Sequence, residues 1–403
     1  MEYVDYLCLM VEFKRHYFTQ LRHRLLEKEC FIQLITGPRQ VGKTTVVRQL
    51  FADAAFEGVY VVAEDGDDAS RLDQWWQRAA IVAAKSNRRV VLAIDEVQKI
   101  PQWSERIKRL YDEAKFNQTM PFALVLLGSS HWLLQRGTTE SLAGRFEQTY
   151  MSHWTFSELK EAFDSTPEQY VYFGAYPGSM GFRSDEARWA EYIRNALIET
   201  TITKDVLLMT RIDKPALLRR VFELGARYSA QTVSYTKMLG QLQDAGNTVT
   251  LAHYLELLGA AGLLTGLPKF ANQEMRRRAS SPKLQVQNNA LMSVFANQSF
   301  AEAQIDRIQW GRRVESAVGA HLLSHAGSDL EISYWNEGHA EVDFVLRRGN
   351  QLLALEVKSG HDKITGLKNF SAKFPHAQLL QLDDRGIAWQ DFIAADPRDF
   401  FRG

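Results

Sequence analysis

Past its first dozen residues, the chain carries short apolar runs bounded by turn residues: Phe31–Thr36, Val59–Ala63, Val90–Asp95, Phe122–Gly128 and, less sharply, Phe146–Met151. Each is apolar on consecutive positions, as a strand buried on both faces must be, and helix-length segments separate them. Strand–helix alternation of this kind predicts an α/β domain, a parallel sheet with helices on both sides. From about residue 155 to 300 the period changes to that of helices. Glu186–Val206, Pro215–Tyr228, Val233–Asp244 and Thr248–Ala261 keep helical spacing, with Gly246-Asn247 as a break. Leu263–Leu267 and Leu284–Val286 are short strand candidates, and two short helices followed by a strand pair resemble a winged helix. The last hundred residues change again. A helix is expected over Arg312–His325, then strands at Glu331–Trp335, Glu341–Leu346, Gln351–Val357 and Leu379–Leu382, with Arg348-Gly349-Asn350 as a hairpin turn.

This gives three expected domains: 1–155, with 1–12 as an extension; 156–305, helical and winged-helix-like; and 306–403, a second small α/β unit. The length of 403 residues suits two or three domains. Lys plus Arg and Asp plus Glu both number 48, so no global charge marks a polyanion binder, and any nucleic-acid contact must rest on local patches. Two cysteines, Cys8 and Cys30, make neither a disulfide framework nor a zinc cluster. No apolar stretch approaches the ~20 residues of a membrane span, and acids flank the apolar centre of the first twelve residues, unlike an export signal. No membrane partner and a cytoplasmic location are expected.

Candidate chemistry starts at Gly37-Pro38-Arg39-Gln40-Val41-Gly42-Lys43-Thr44-Thr45, which fits G-x-x-x-x-G-K-[ST] between a predicted strand and a predicted helix. Glycines there let backbone N–H groups wrap phosphates, and the helix N-terminus adds positive potential. Lys43 is placed to reach the β- and γ-phosphates and the Thr44 hydroxyl to ligate Mg²⁺, so ATP and Mg²⁺ are the expected cofactors. About fifty residues on, Val90–Ile94 is an apolar strand ending in Asp95-Glu96. Asp95 is expected in the magnesium shell, through water, and Glu96 as the base at the attacking water. Ser129, at the end of Phe122–Gly128, is placed to sense the γ-phosphate, or else caps the next helix. Arg145, in Leu142-Ala143-Gly144-Arg145, is either an arginine finger for a neighbouring subunit or a surface arginine.

The runs Leu34–Thr45, Ile94-Asp95-Glu96-Val97-Gln98-Lys99-Ile100-Pro101, Leu127-Gly128-Ser129-Ser130 and Ser141–Arg145 together resemble the prokaryotic AAA+-type P-loop ATPases that carry a C-terminal winged helix and a restriction-endonuclease-like fold. The resemblance runs from about Phe13 to the end. It implies an ATPase that assembles as a homo-oligomeric ring, such as a hexamer, and acts on DNA. One departure stands out. Where the family commonly has an Asp-containing turn before Gly-Leu, this chain has Gln287-Asn288-Asn289-Ala290-Leu291.

Near the C-terminus, Glu341-Val342-Asp343 is followed by Glu356-Val357-Lys358, an acid on one strand and E-x-K on the next. Strand alternation puts Glu356 and Lys358 on one face, where Asp343 can meet them. Two carboxylates and a lysine match metal-dependent phosphodiester cleavage. The same residues also make an ordinary ion pair on a sheet. The pattern is similar to the PD-(D/E)XK nucleases, which implies Glu315 on the preceding helix as a further metal acid. That fold also serves as a DNA-binding platform. The helix Thr248–Leu258 is nearly uncharged and suits packing better than groove reading. Met275-Arg276-Arg277-Arg278 is the better phosphate contact, or else a solvated charge run. ATP hydrolysis coupled to remodelling or translocation of branched or duplex DNA is the expected function. The alternatives are a nucleotide-switched signalling or defence ATPase with the C-terminal domain as docking surface, and an ATP-licensed metal-dependent nuclease.

Overall fold

The computed structural model describes residues 13–117, 120–128, 142–207, 212–242, 246–271, 280–358, 365–383 and 386–401. The chain forms two compact units, Met1–Ser152 and His153–Gly403.

The first unit is built on strands β1 (Ile32–Thr36), β2 (Phe56–Val62), β3 (Arg89–Asp95), β4 (Phe122–Gly128) and β5 (Phe146–Tyr150). Their order is β2-β3-β4-β1-β5, and every adjacent pair runs parallel. Side chains leave alternate faces of a strand, so the consecutive apolar runs feed two cores. On one face Leu34, Leu92, Ile94, Leu124 and Leu126 meet α3 (Ala69–Lys85) and α4 (Trp103–Phe116) through Leu72, Ala79, Ile107 and Tyr111. On the other, Ile35, Val91, Ala93, Val125 and Leu127 meet α1 (His16–Leu26) and α2 (Lys43–Ala52) through Leu21, Leu25, Val46, Val47 and Leu50. The chain leaves β1 for β2 at the far side of the sheet, past β3 and β4. This opens a crevice beyond the C-terminal ends of the strands, where ligands of such sheets sit.

In the second unit α5 (Phe156–Phe163) and α6 (Pro167–Phe173) each start with a capping box, Thr155 with Glu158 and Thr166 with Gln169. The segment expected as one helix over 186–206 is α7 (Glu186–Tyr192) followed by two π-helical stretches, Ile193–Glu199 and Ile202–Val206. Next come α8 (Pro215–Arg227), β6 (Gln231–Thr232), α9 (Tyr235–Gln241), α10 (Thr248–Ala260), β7 (Leu264–Leu267) and β8 (Lys283–Val286). The three strands form an antiparallel sheet in the order β6-β8-β7. Short helices α11 (Ala290–Ser293) and α12 (Phe300–Ile305) lead to α13 (Arg307–His325), five residues longer at its start than the sequence pattern suggests. The second sheet, β12-β11-β10-β9, comprises β9 (Glu331–Glu337), β10 (Ala340–Arg348), β11 (Gln351–Val357) and β12 (Gln378–Leu382). β9, β10 and β11 are antiparallel, whereas β12 joins β11 in parallel after α14 (Thr365–Lys373). Among the described residues the last α-helix is α15 (Trp389–Ala394), and a 3₁₀ turn, Pro397–Phe400, follows it.

The Asn288-Asn289 turn ties this unit together. Asn289 Nδ2 donates to the carbonyls of Val171 (2.8 Å) and Arg313 (2.9 Å), and its Oδ1 accepts from Ser316 (2.8 Å). Asn288 Oδ1 accepts from the backbone N–H groups of Ala175 and Ala290. Both are buried, so each bond satisfies a group that water cannot reach. A side-chain amide supplies donors and acceptors at once, which a carboxylate does not. Among the described residues, no helix is long and apolar enough to cross a membrane.

Candidate nucleotide site

The loop after β1 is shaped by residues that need unusual backbone angles. Gly37 has φ +145°, Gln40 +59° and Gly42 +99°. A Cβ on Gly37 would lie 2.2 Å from the Met151 carbonyl oxygen, so only glycine fits there. Gly42 then starts α2, with Lys43, Thr44 and Thr45 as its first turn. Arg15 holds the loop from beneath. It is 3% exposed and donates from Nη1 to the carbonyls of Val41 (2.9 Å) and Ser152 (3.0 Å). Val41 is buried. Pro38 and Arg39 complete the loop between Gly37 and Gln40.

Lys43 Nζ donates to the carbonyls of Gly37 (2.8 Å) and Pro38 (2.7 Å), folding the ammonium over the loop that would carry phosphate. Asp95 ends β3 and is 9% exposed. Its Oδ2 accepts from Thr44 Oγ1 (3.1 Å) and from the Tyr60 hydroxyl, and its Oδ1 accepts from the Glu96 N–H (2.9 Å). Burial first, and then the hydrogen bond to Asp95, push the Tyr60 phenol well above its ordinary range, so it stays a donor. Glu96 sits in the left-handed region at φ +54° and accepts from Gln98 Nε2 (2.7 Å). Thr44 and Asp95 therefore meet at the strand ends, with Glu96 next in the chain. Hard oxygen donors at this position fit Mg²⁺. Tyr60, Gln98 and Arg15 are residues that sequence reasoning missed. Gln98 stands in the run Ile94–Pro101, where the sequence pattern assigns it no role, Arg15 and Tyr60 belong to no motif, and Tyr60 lies 35 residues before Asp95 on the neighbouring strand.

Arg145 lies just ahead of β5, and its guanidinium grips Asp112 of α4 in its own chain, Nε to Oδ1 at 2.6 Å and Nη2 to Oδ2 at 2.9 Å. This bidentate bond holds the Asp112 carboxyl below its ordinary range. Ser129, Ser130 and the basic run 275–278 lie outside the described residues.

The C-terminal residues are brought together, but around a cation of the protein's own. Lys283, on β8, has no solvent exposure. Its Nζ lies 2.5 Å from Glu315 Oε1, 3.1 Å from the Asp343 carbonyl oxygen and 3.5 Å from Asp343 Oδ1, and 4.8 Å from the centre of the Phe344 ring. A register shift in β10 between Val342 and Val345 flanks Asp343, as bulges do where a side chain is re-aimed. Asp343 Oδ2 accepts from the Val357 N–H (2.8 Å). Glu356 is 5% exposed, and its Oε1 pairs with Lys358 at 2.8 Å. Burial, and then the neighbouring Asp343, raise Glu315. The carboxylates keep Lys283 protonated against the opposing effect of burial. Among the described residues, no group of three or more His, Cys, Asp and Glu side chains is arranged to hold a metal.

Residues 31–160 match the family model of an AAA domain. Residues 165–301 and 310–393 match two models described as domains of unknown function, DUF8612 and DUF4143. Uncharacterized proteins of Mycobacterium tuberculosis (strain H37Rv) and Mycobacterium bovis are each 31% identical over 288 residues, which is 71% of this chain. The chain spans 60% of the length of these curated relatives. Among solved structures, the Walker-type ATPase of Pyrococcus abyssi is similar at 15% identity and TM-score 0.46, covering 70% of this chain and 95% of that one. The Thermotoga maritima RuvB Holliday junction branch migration motor is similar at 16% identity and TM-score 0.34, covering 64% of this chain and 90% of that one. Both are likenesses of chain trace at low identity. The AAA-domain match over 31–160, together with a phosphate loop and acid pair at the ends of a parallel sheet, supports an AAA+-type P-loop ATPase domain in this part of the chain.

Proposed function

We propose that the chain hydrolyses ATP and couples hydrolysis to remodelling or movement of branched or duplex DNA, working as a ring of identical subunits. The observation that carries the hydrolytic part is the meeting of Thr44 with Asp95, with Glu96 next to it, beside the phosphate loop. Mg²⁺ held by Thr44 and, through water, by Asp95 would neutralise charge on the β- and γ-phosphates. Lys43 exchanges its two loop carbonyls for phosphate oxygens. Glu96 leaves Gln98 and accepts a proton from the attacking water. Arg145, released from Asp112, reaches the γ-phosphate of the neighbouring subunit. Ser129 senses the γ-phosphate bound at the phosphate loop of its own subunit.

Topology supports the DNA part. The order α8-β6-α9-α10-β7-β8, with β8 central in the sheet, fits a winged helix. The order α13-β9-β10-β11-α14-β12, antiparallel and then parallel, fits the restriction-endonuclease-like core. Leu251, Tyr254, Leu255, Leu257 and Leu258 of α10 are buried, which favours packing as the role of that helix. Phosphate contact then falls to Arg276, Arg277 and Arg278.

The test is the steady-state ATPase rate of the full chain, alone and with single-stranded, duplex and four-way-junction DNA at one salt concentration. Stimulation by one form is expected. Lys43→Ala should lose nucleotide binding, and Glu96→Gln should bind ATP with hardly any turnover. Normal turnover by Glu96→Gln would remove Glu96 as the base, and a rate indifferent to all three DNAs would remove the DNA coupling. The latter result would favour a nucleotide-operated switch, a second reading prompted by Lys43 and Glu96 both being tied to protein groups that nucleotide must displace.

A further inference from the structure

The nuclease-like constellation does not fit a metal as it stands. An ion shared by Glu315 and Asp343 would need the space between them, and the Lys283 ammonium is already there, bonded to both. Lys283 arrives from a different sheet, 32 residues before Glu315 and 60 before Asp343. Every residue of its strand is buried and the Lys283 side chain has no exposure, while the side chains of Glu315 and Asp343 keep 20% and 16%. A buried ammonium without a counter-charge is strongly unfavourable, and a largely buried carboxylate left without its partner is disfavoured as well. Lysine and acids thus hold one another in place. Glu356 and Lys358, the E-x-K half of the pattern, close on each other.

We propose that Lys283 is the resident cation of this carboxylate cluster, closing it to divalent metal and joining β8 to α13 and β10. The C-terminal sheet is then a structural and binding platform in this state, and a metal reaches Glu315 and Asp343 only after the amine has left. The arrangement stands apart from the ATPase assignment, since no residue of the nucleotide site takes part.

Mn²⁺ binding to the full chain, followed by the loss of free-ion paramagnetic resonance signal without nucleotide, tests this. Wild type, Glu315→Gln and Asp343→Asn should give superimposable titrations, because the cluster binds no metal while Lys283 is present. Lys283→Met keeps an unbranched stem, one atom shorter, and removes the charge. It should gain one Mn²⁺ per chain, at least tenfold tighter than any site in wild type, and Lys283→Met/Asp343→Asn should lose it. A wild-type Mn²⁺ site that Asp343→Asn abolishes would overturn the proposal, as would a folded Lys283→Met protein that gains none. If Lys283→Met does not fold, the comparison of wild type with Asp343→Asn decides: coincident titrations support the resident amine, and a difference refutes it. Lys283→Arg, which keeps a cation there, should bind no added metal.

Discussion

Tyr60→Phe isolates one bond to the acid that ends β3. The ring stays and only the hydroxyl is removed. Asp95 then keeps Thr44 on Oδ2 and the Glu96 N–H on Oδ1, but loses the donor that fixes its carboxylate from the β2 side. A hydrogen bond to a charged group contributes about 1.5–3 kcal/mol. At about 1.4 kcal/mol per tenfold, that corresponds to roughly 10–100-fold in an equilibrium. The same range, about 10–100-fold, is typical when a partner that orients a metal-facing ligand is removed. The half-saturating Mg²⁺ concentration for ATP hydrolysis should therefore rise by about that factor. The rate at saturating Mg²⁺ should change by less than about threefold, because Tyr60 orients a ligand and touches no reacting atom. The assay is ATPase rate against free Mg²⁺ at fixed, saturating ATP, with Asp95→Asn as the variant that loses the site. An unchanged Mg²⁺ dependence in Tyr60→Phe would refute the positioning role. A lowered half-saturation would show instead that the hydroxyl competes with the metal.

Three further outcomes are expected. Gly37→Ala combines a backbone angle worth about 1–3 kcal/mol of strain with a Cβ 2.2 Å from the Met151 oxygen, so fluorescent-nucleotide binding should be lost while the far-ultraviolet dichroism stays native. Asn289→Leu removes three buried hydrogen bonds, at about 1 kcal/mol or more each, and urea unfolding of the second unit should show a loss of about 3 kcal/mol; a change below about 1 kcal/mol would show that the network contributes little. Asp112→Asn frees Arg145 at a cost of less than about 1 kcal/mol, since both partners are partly exposed, and should leave the ATPase rate intact, whereas Arg145→Ala should lower it; equal rates in both variants would make Arg145 a structural residue. Asp112 is held below its ordinary value of 3.8, so the stability its pair adds is present above that pH and disappears as pH falls through the lowered value.

Much of the first unit is written in short-range pattern. Phe31–Thr36, Val90–Asp95 and Phe122–Gly128 are apolar on consecutive residues because both sheet faces are covered, and the strands appear there within a residue or so. Gly37, Gly42, Lys43 and Thr44 stand out in the sequence because phosphate binding needs those residue types at fixed spacing around one turn, and Asp95 and Glu96 because an acid pair closes an apolar run. β2 was only partly legible. It begins at Phe56, three residues before the apolar run, because Glu57 and Gly58 pair with β3 by backbone bonds that no side-chain pattern records. Helical spacing over 186–206 was correct in kind, but nothing local announces π turns.

What the sequence by itself determined, then, is the chemistry of contiguous or nearly contiguous residues: a strand, a phosphate loop, an acid pair at a strand end, and two carboxylates with a lysine across a hairpin. What only the tertiary structure decided is which distant groups complete those sites. Lys283-Leu284-Gln285-Val286 alternates polar and apolar, the signature of a strand with one wet face. Yet all four residues are buried, because α13 covers the polar face and supplies Glu315 to Lys283 and Ser316 to Gln285. Tyr60 likewise becomes Asp95's partner only once β2 lies beside β3. Alternation reports whether a side chain leaves one face or the other. Whether water or a charged partner waits on that face depends on chain segments tens of residues away, and so only on the fold.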